Sequence, residues 1–397
     1  WGQSGNAPSG TSPYIGTFEA VTPGYGDMNA VKPASPDLTH LKYETITSNN
    51  IGVDFGLFSD KVNFTFELYK KVTDDLLQKK MKVPSSTGLS TVAWYNSGKI
   101  QNKGWEFNID IAAVKTKDWS FNFGFNISQN KNEILELPEN KNDELYTFGN
   151  KNYAYSVMMG DPLGSFYGYR YKGVYQNVEE TYAVNTSGQR ILDIDGNPVV
   201  MKNGDQKVYP GDARYEDVNG DGVIDENDIV YLGNSNPTLT GGLNFTLRYK
   251  KVSLVAAFHG RAGQKVINQA RMDMENMRGK NNQSVAVLRR WRSEGDDTDI
   301  PRALYDKGYN YLGSDRFVED ASFLRLKTVT LKYQMPAKWM KAIGVNKLEL
   351  YATGYDMFVW TKYKGQDPEV NLKAANDGTV AQVAIDSNNT PKPFKIA

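Results

Sequence analysis

Apolar and polar side chains alternate with a period of two along most of the chain. That is the signature of β-strands, because successive side chains leave a pleated backbone on opposite faces. In GWEFNIDIAA, Trp105, Phe107, Ile109 and Ile111 share one parity, and Glu106, Asn108 and Asp110 the other. DWSFNFGFNIS sets Trp119, Phe121, Phe123, Phe125 and Ile127 against Ser120, Asn122, Gly124, Asn126 and Ser128. Further stripes run through Val62–Leu68, Leu243–Tyr249 and Val252–Phe258. In FLRLKTVTLKY the stripe changes parity between Leu326 and Val329, so a bulge is expected near Lys327.

The spacing of these stripes carries further information. Short connections (Ser59-Asp60-Lys61, Ala112–Asp118, Lys250-Lys251 and the moderate link from Tyr333 to Leu348) alternate strictly with long ones at about 4–43, 73–97, 130–238, 263–320 and 358–388. A transmembrane barrel keeps this parity, with short periplasmic turns and long extracellular loops. A soluble sandwich, whose apolar face would meet a second sheet, has no reason to keep it. The expected fold class is therefore all-β, an antiparallel transmembrane β-barrel of about ten strands. Trp119, Tyr249 and Tyr333 fall at the short-turn ends, as an aromatic girdle would. Within the long connections, Asn268–Gly279 and Ser284–Ser293 place Met and Leu at helical spacing, and short packed helices are expected there.

Composition narrows the functional classes. Lys+Arg and Asp+Glu are both 46, for a formal charge of +0, which argues against nucleic acid as a partner. No run of about 18 apolar residues is present, so no helical span is expected. With no Cys and only His40 and His259, disulfides are excluded and a zinc site or Ser-His-Asp triad has little to build on. Neither a Walker loop nor a glycine run following a strand is present, and no carboxylate pair stands out as a glycosidase pair. Binding and translocation are expected rather than catalysis. Trp1-Gly2-Gln3 has no Met or leader character, and TPKPFKIA ends as a strand opens, so a longer protein is expected on both sides.

One stretch has the chemistry of a metal loop. In DVNGDGVIDEND (Asp217–Asp228), acidic or amide residues occupy positions 1, 3, 5, 9 and 12, and Gly222 position 6. Calcium takes six to eight oxygens from flexible carboxylates and carbonyls. Asp217, Asn219, Asp221 and Asp225 would supply side-chain oxygens, Val223 its carbonyl, and Asp228 would close the site, with Ile224 anchoring the loop to a core. The flanks KVYPGDARYE and IVYLGNSNPT are not helical, and the loop occurs once. A sensor and a paired docking module are both disfavoured, and a structural Ca2+ staple is expected. A non-binding acidic turn is the alternative, since Asp, Asn and Gly are common turn residues. For a carbohydrate ligand, ring-stacking candidates in the long connections are Trp94, Tyr95, Tyr153, Tyr155, Tyr305, Tyr309 and Tyr311, densest in YDKGYNYLG.

Four segments together resemble the SusC/RagA family of TonB-dependent outer-membrane transporters: GDPLGSFYGYRYKGVYQ (160–176), YEDVNGDGVIDENDIVYLGNSNPTLTGGLNF (215–245), FVEDASFLRLKTVTLKYQMP (317–336) and LELYATGYDMFVWTKYKGQDPEV (348–370). TDIPRA and the opening WGQSGN fit as well. The resemblance implies that residues 1–397 are the C-terminal portion of a 22-stranded barrel in the bacterial outer membrane, without its plug, TonB-contacting segment and first strands. It also implies import of oligosaccharides powered through the TonB complex, with a SusD-like lipoprotein over the mouth. Oligopeptide import of the RagA kind and a soluble calcium-binding β-sandwich that binds carbohydrate are the alternatives.

Overall fold

A computed structural model describes the chain except residues 11, 23–27, 29, 83–84, 90, 97, 138–145, 148–152, 156–157, 306, 343, 371, 374–382, 385–394 and 397. Ten strands form one antiparallel sheet in chain order. They are β1 (Gly2–Asn6), β2 (Glu44–Leu57), β3 (Val62–Asp74), β4 (Lys99–Lys115), β5 (Trp119–Glu136), β6 (Leu239–Tyr249), β7 (Val252–Ala262), β8 (Phe323–Gln334), β9 (Glu349–Thr361) and β10 (Lys395–Ile396). The period-two stripes thus became strands, and several run further than the stripes suggested. Among the described residues β1 and β10 are the free edges, and the sheet is open. Phe394, near which the last strand was expected, lies outside the described residues.

The register lines apolar side chains into rows that cross the sheet. Phe55, Phe64, Ile109, Phe125, Leu243, Phe258, Leu326 and Phe358 are successive cross-strand partners from β2 to β9. The neighbouring positions carry polar groups: Asn63 faces Asp110, Asp110 faces Gly124, and Gly124 faces Asn244. The bulge appears where expected, with the pairing of β8 to β9 skipping Lys327. It returns Leu324 and Leu326 to the face of Val329 and Leu331.

A sandwich would cover this apolar face with a second sheet. Here the face is bare: Ile51 is 71% exposed, Phe55 51% and Phe358 57%. The soluble-sandwich reading is therefore corrected. The 11 residues of β6 rise about 34 Å along the strand. At the roughly 40° tilt of barrel strands that gives about 26 Å of height, the thickness of a lipid-facing band. Trp119 and Tyr249 pack against each other at one rim, tilted by 35° with centroids 4.3 Å apart. Tyr249 pairs Val252, which pairs Tyr333 on the next strand.

The buried hydrophobic clusters lie in the long connections, not in the ten-stranded sheet. One cluster joins Tyr153, Phe166, Ile267, Met272, Tyr311 and Phe317 among others. A second joins Tyr175, Ala183, Met201, Val208, Tyr215 and Ile224. Of the two expected helices, Gln269–Glu275 is α-helical and buries Met272. The other is a 3-10 turn, Val285–Arg289, burying Val287. Its C-cap Arg290 turns to ψ 153°, which stops an α-helix from growing through Trp291.

Candidate functional site

The acidic loop folds through local side-chain-to-backbone hydrogen bonds, which Asp and Asn form readily in turns. Asp217 accepts from the amides of Gly220 (2.7 Å), Asp221 (3.3 Å) and Gly222 (2.8 Å). Asn219 accepts from the Asp221 amide at 3.1 Å, and Asp221 from the Val223 amide at 2.8 Å. Asp225 caps a 3-10 turn, Glu226–Asp228, by accepting from the Asn227 amide at 2.8 Å. Asp228, fully buried, reaches back to the amides of Val218 (2.7 Å) and Asp225 (2.8 Å). Burial pushes the Asp228 carboxyl above the usual carboxylate range, and the nearby Asp217 charge adds to that. Gly222, at φ +85°, makes the turn a side chain would resist.

Ile224 is buried in the second cluster, so the loop is anchored as expected. Val223–Ile224 pairs in parallel with Lys202–Asn203. Strands flank the loop on both sides, Ala213–Tyr215 before it and Val230–Asn234 after it. Among the described residues, no helix pair flanks the loop to open and close. Among the described residues, no three His, Cys, Asp or Glu side chains already converge on a common point. The loop's carboxylates point instead at its own amides.

The mount of this module was not legible in the sequence. Asp212, fully buried, accepts from Arg302 Nε (2.7 Å) and Nη2 (3.2 Å), from the Tyr209 amide (2.8 Å) and from Asn310 Nδ2 (3.2 Å). Asn310 Oδ1 in turn accepts from the Ala213 amide at 2.8 Å. Arg302 and Asn310 lie 90 and 98 residues from Asp212 in sequence, so no local pattern announces them.

The stacking candidates divide sharply. Tyr311 is 2% exposed and sits in the first cluster, beside Tyr153, whose hydroxyl donates to the Ser314 carbonyl at 2.8 Å. Tyr95 is also buried, with its hydroxyl 2.5 Å from Gln78. All three are corrected as stacking platforms, because each ring is used in packing. Tyr309 is half-buried against Asp212, and Trp94 is half-buried in the hairpin Leu77–Lys82/Thr91–Asn96. Tyr305 alone of the dense cluster stands clear, at 68% exposed. The side chain of Tyr155 lies outside the described residues.

Comparison with known proteins places this architecture. A family model described as TonB dependent receptor-like, beta-barrel, matches residues 1–203. The chain is 30% identical over 389 residues to TonB-dependent receptor P3 of Formosa agariphila, covering 95% of this chain and 36% of that protein. It is 32% identical over 371 residues to receptor P26 of the same organism, covering 92% and 35%. It is 28% identical over 342 residues to TonB-dependent receptor SusC of Bacteroides thetaiotaomicron, covering 83% and 30%. The chain therefore spans about a third of the length of these relatives. Among solved structures, the RagAB peptide importer in its closed-closed state matches with a TM-score of 0.71 and 22% identity, over 99% of this chain and 39% of that one.

Proposed function

Given that the chain belongs to the TonB-dependent receptor β-barrel family and is of SusC/RagA type, we propose that it forms the C-terminal wall of an outer-membrane importer for oligosaccharides. The observation that carries the reading is the two-faced sheet. One face is a continuous apolar lattice of membrane height, and the other is rich in amides and hydroxyls. On that second face, Thr65 pairs Asn108, Asn108 pairs Asn126, and Thr330 bonds Thr353 at 3.0 Å. Neutral donors and acceptors of this kind suit the hydroxyls of a sugar. The apolar face would meet outer-membrane lipid, with the aromatic rim toward the periplasm and the packed module outside the cell.

In this reading the chain's work is binding and passage, not catalysis. A TonB complex would supply the energy through a part of the protein beyond this chain, and a SusD-like lipoprotein would close over the packed module. Ca2+ would act as a staple in the Asp217–Asp228 loop. Asp217, Asn219, Asp221, Asp225 and Asp228 would turn oxygens from the loop amides to the ion, joined by the Val223 carbonyl. The positional match to a calcium loop, the positive-φ Gly222 and the buried Ile224 anchor support this. An oligopeptide cargo is the second reading, favoured by the fold shared with a peptide importer.

Uptake tests the proposal. Cells with and without the gene receive fluorescent oligosaccharides or oligopeptides, with and without a protonophore. Oligosaccharide accumulation that needs both the gene and an energised inner membrane is expected. Gene-dependent uptake of peptides alone would replace the saccharide reading with the peptide one.

A further inference from the structure

A cleft of about 760 Å³ opens beside the acidic loop, within residues 170–218, and its volume is that of a small-molecule site. One wall is the strand pair Tyr171–Val174 and Ala213–Tyr215. The opposite wall is the hairpin carrying Tyr182 and Val184, closed by bridges from Tyr182 to Val200 and from Val184 to Arg190.

The polar groups of the cleft form short ladders of alternating sign. Arg170 and Lys172 each place a nitrogen 3.1 Å from Glu216. Arg214 lies 3.9 Å from Glu180, which also accepts the Gln176 amide at 2.9 Å. These side chains keep between 30% and 51% of their surface exposed, so they face a solvent-filled space while already neutralising one another. An apolar strip accompanies them. Val184 is 44% exposed, and the half-buried Tyr182 ring is held by the Arg190 guanidinium 5.1 Å from its centre.

That arrangement selects against ions. Three cationic side chains (Arg170, Lys172, Arg214) line the cleft with three carboxylates (Glu180, Glu216, Asp217), so neither an anion nor a cation meets a net opposite charge there. A neutral polyol needs no opposite charge. Guanidinium and ammonium N–H groups and carboxylate lone pairs not used in the ladders can bond its hydroxyls, in place of water. Its C–H faces can lie on Tyr182 and Val184.

We propose that this cleft is a subsite for a neutral oligosaccharide, separate from the inner face of the sheet. It rests on the saccharide reading of the cargo and adds a place on the outer module where such a chain is held.

The test is binding to the purified protein in detergent. Probes are maltohexaose, laminarihexaose, mannohexaose, xylohexaose and whichever oligosaccharide the uptake assay identifies, with oligogalacturonate and a charged tripeptide as ionic probes. Val184→Arg fills the cleft, and Arg214→Met removes its donors, the guanidinium 5.8 Å from the Tyr175 ring centre, while keeping an unbranched side chain. A neutral oligosaccharide should bind the parent protein and lose at least tenfold in affinity in both variants, at an unchanged unfolding temperature. Saccharide binding unaltered by either variant would overturn the cleft and leave the cargo reading standing. Binding of the tripeptide alone would overturn both. Preference for oligogalacturonate, or binding of no probe, would overturn the neutral-ligand assignment.

Discussion

Replacing Asp212 by Ala should release the outer module from its mount. The carboxylate is fully buried and takes four hydrogen bonds within 3.2 Å, two of them from Arg302. Removing one partner of a buried ion pair costs about 3–5 kcal/mol, mostly because the other is left unpaired. Arg302 keeps 30% of its side-chain surface exposed and can turn to water, which places the cost near the lower limit, about 3 kcal/mol. At roughly 1.4 kcal/mol per factor of ten, local opening should become about a hundredfold more frequent. Hydrogen exchange read by mass spectrometry reports this at two amides. Ala213 donates to Asn310 Oδ1, and Arg302 donates to the Gly211 carbonyl at 2.7 Å. Both should exchange about a hundredfold faster, while β5, β6 and β7 are unchanged. Asp212→Asn keeps the acceptor for the Tyr209 amide and should fall between the two. Exchange in Asp212→Ala within twofold of the parent would refute the idea that this carboxylate holds residues 209–213 to residues 302–310.

If calcium staples the acidic loop, chelation should raise the rate of proteolysis within residues 169–229, and Asp217→Ala should abolish the difference. At a hundredfold excess over Kd the ion is worth about 2.7 kcal/mol, so cleavage should accelerate on the order of a hundredfold, and equal rates would leave the loop an ordinary turn. Gly260→Val should reduce the heat-modifiable folded band on gels, because a Cβ there would lie 2.9 Å from the Phe323 carbonyl oxygen across the β7–β8 pairing. A normal band would show that the strands can separate at no cost. The Tyr311 hydroxyl is buried with no partner among the described residues, so Tyr311→Phe should shift stability by less than about 1 kcal/mol, whereas Tyr311→Ala should cost about 3–5 kcal/mol by thermal unfolding. Loss of uptake in a stably folded Tyr311→Phe protein would instead return that ring to ligand binding.

Period-two alternation was legible because a strand in a two-faced sheet must alternate, and one face of this sheet is apolar and bare. The Lys327 bulge was legible for the same reason, since a parity change has few other remedies. The register was not, because it depends on which rows align, and alternation alone permits any even slip. Ile224 could be read as an anchor because it is the apolar residue inside an acidic run. Tyr311 and Tyr153 misled because an aromatic among Asn, Asp and Gly looks like an exposed ring. The connections are long enough to build cores of their own, and those cores take the largest side chains first. Asp212 gave no signal, because Arg302 and Asn310 lie 90 and 98 residues downstream.

That one face of the sheet looks into lipid and the other into water is tested most directly by spin-label accessibility in the intact protein in bilayers. The chain has no Cys, so single labels carry no background from it. Labels at Asn126→Cys, Ile127→Cys, Asn244→Cys and Phe245→Cys sample both parities of β5 and β6. The expected result is high collision with oxygen and low collision with a nickel chelate at positions 127 and 245, and the reverse at 126 and 244. Nickel access at 127 and 245 equal to that at 126 and 244 would contradict a membrane wall, and the import proposal would fall with it.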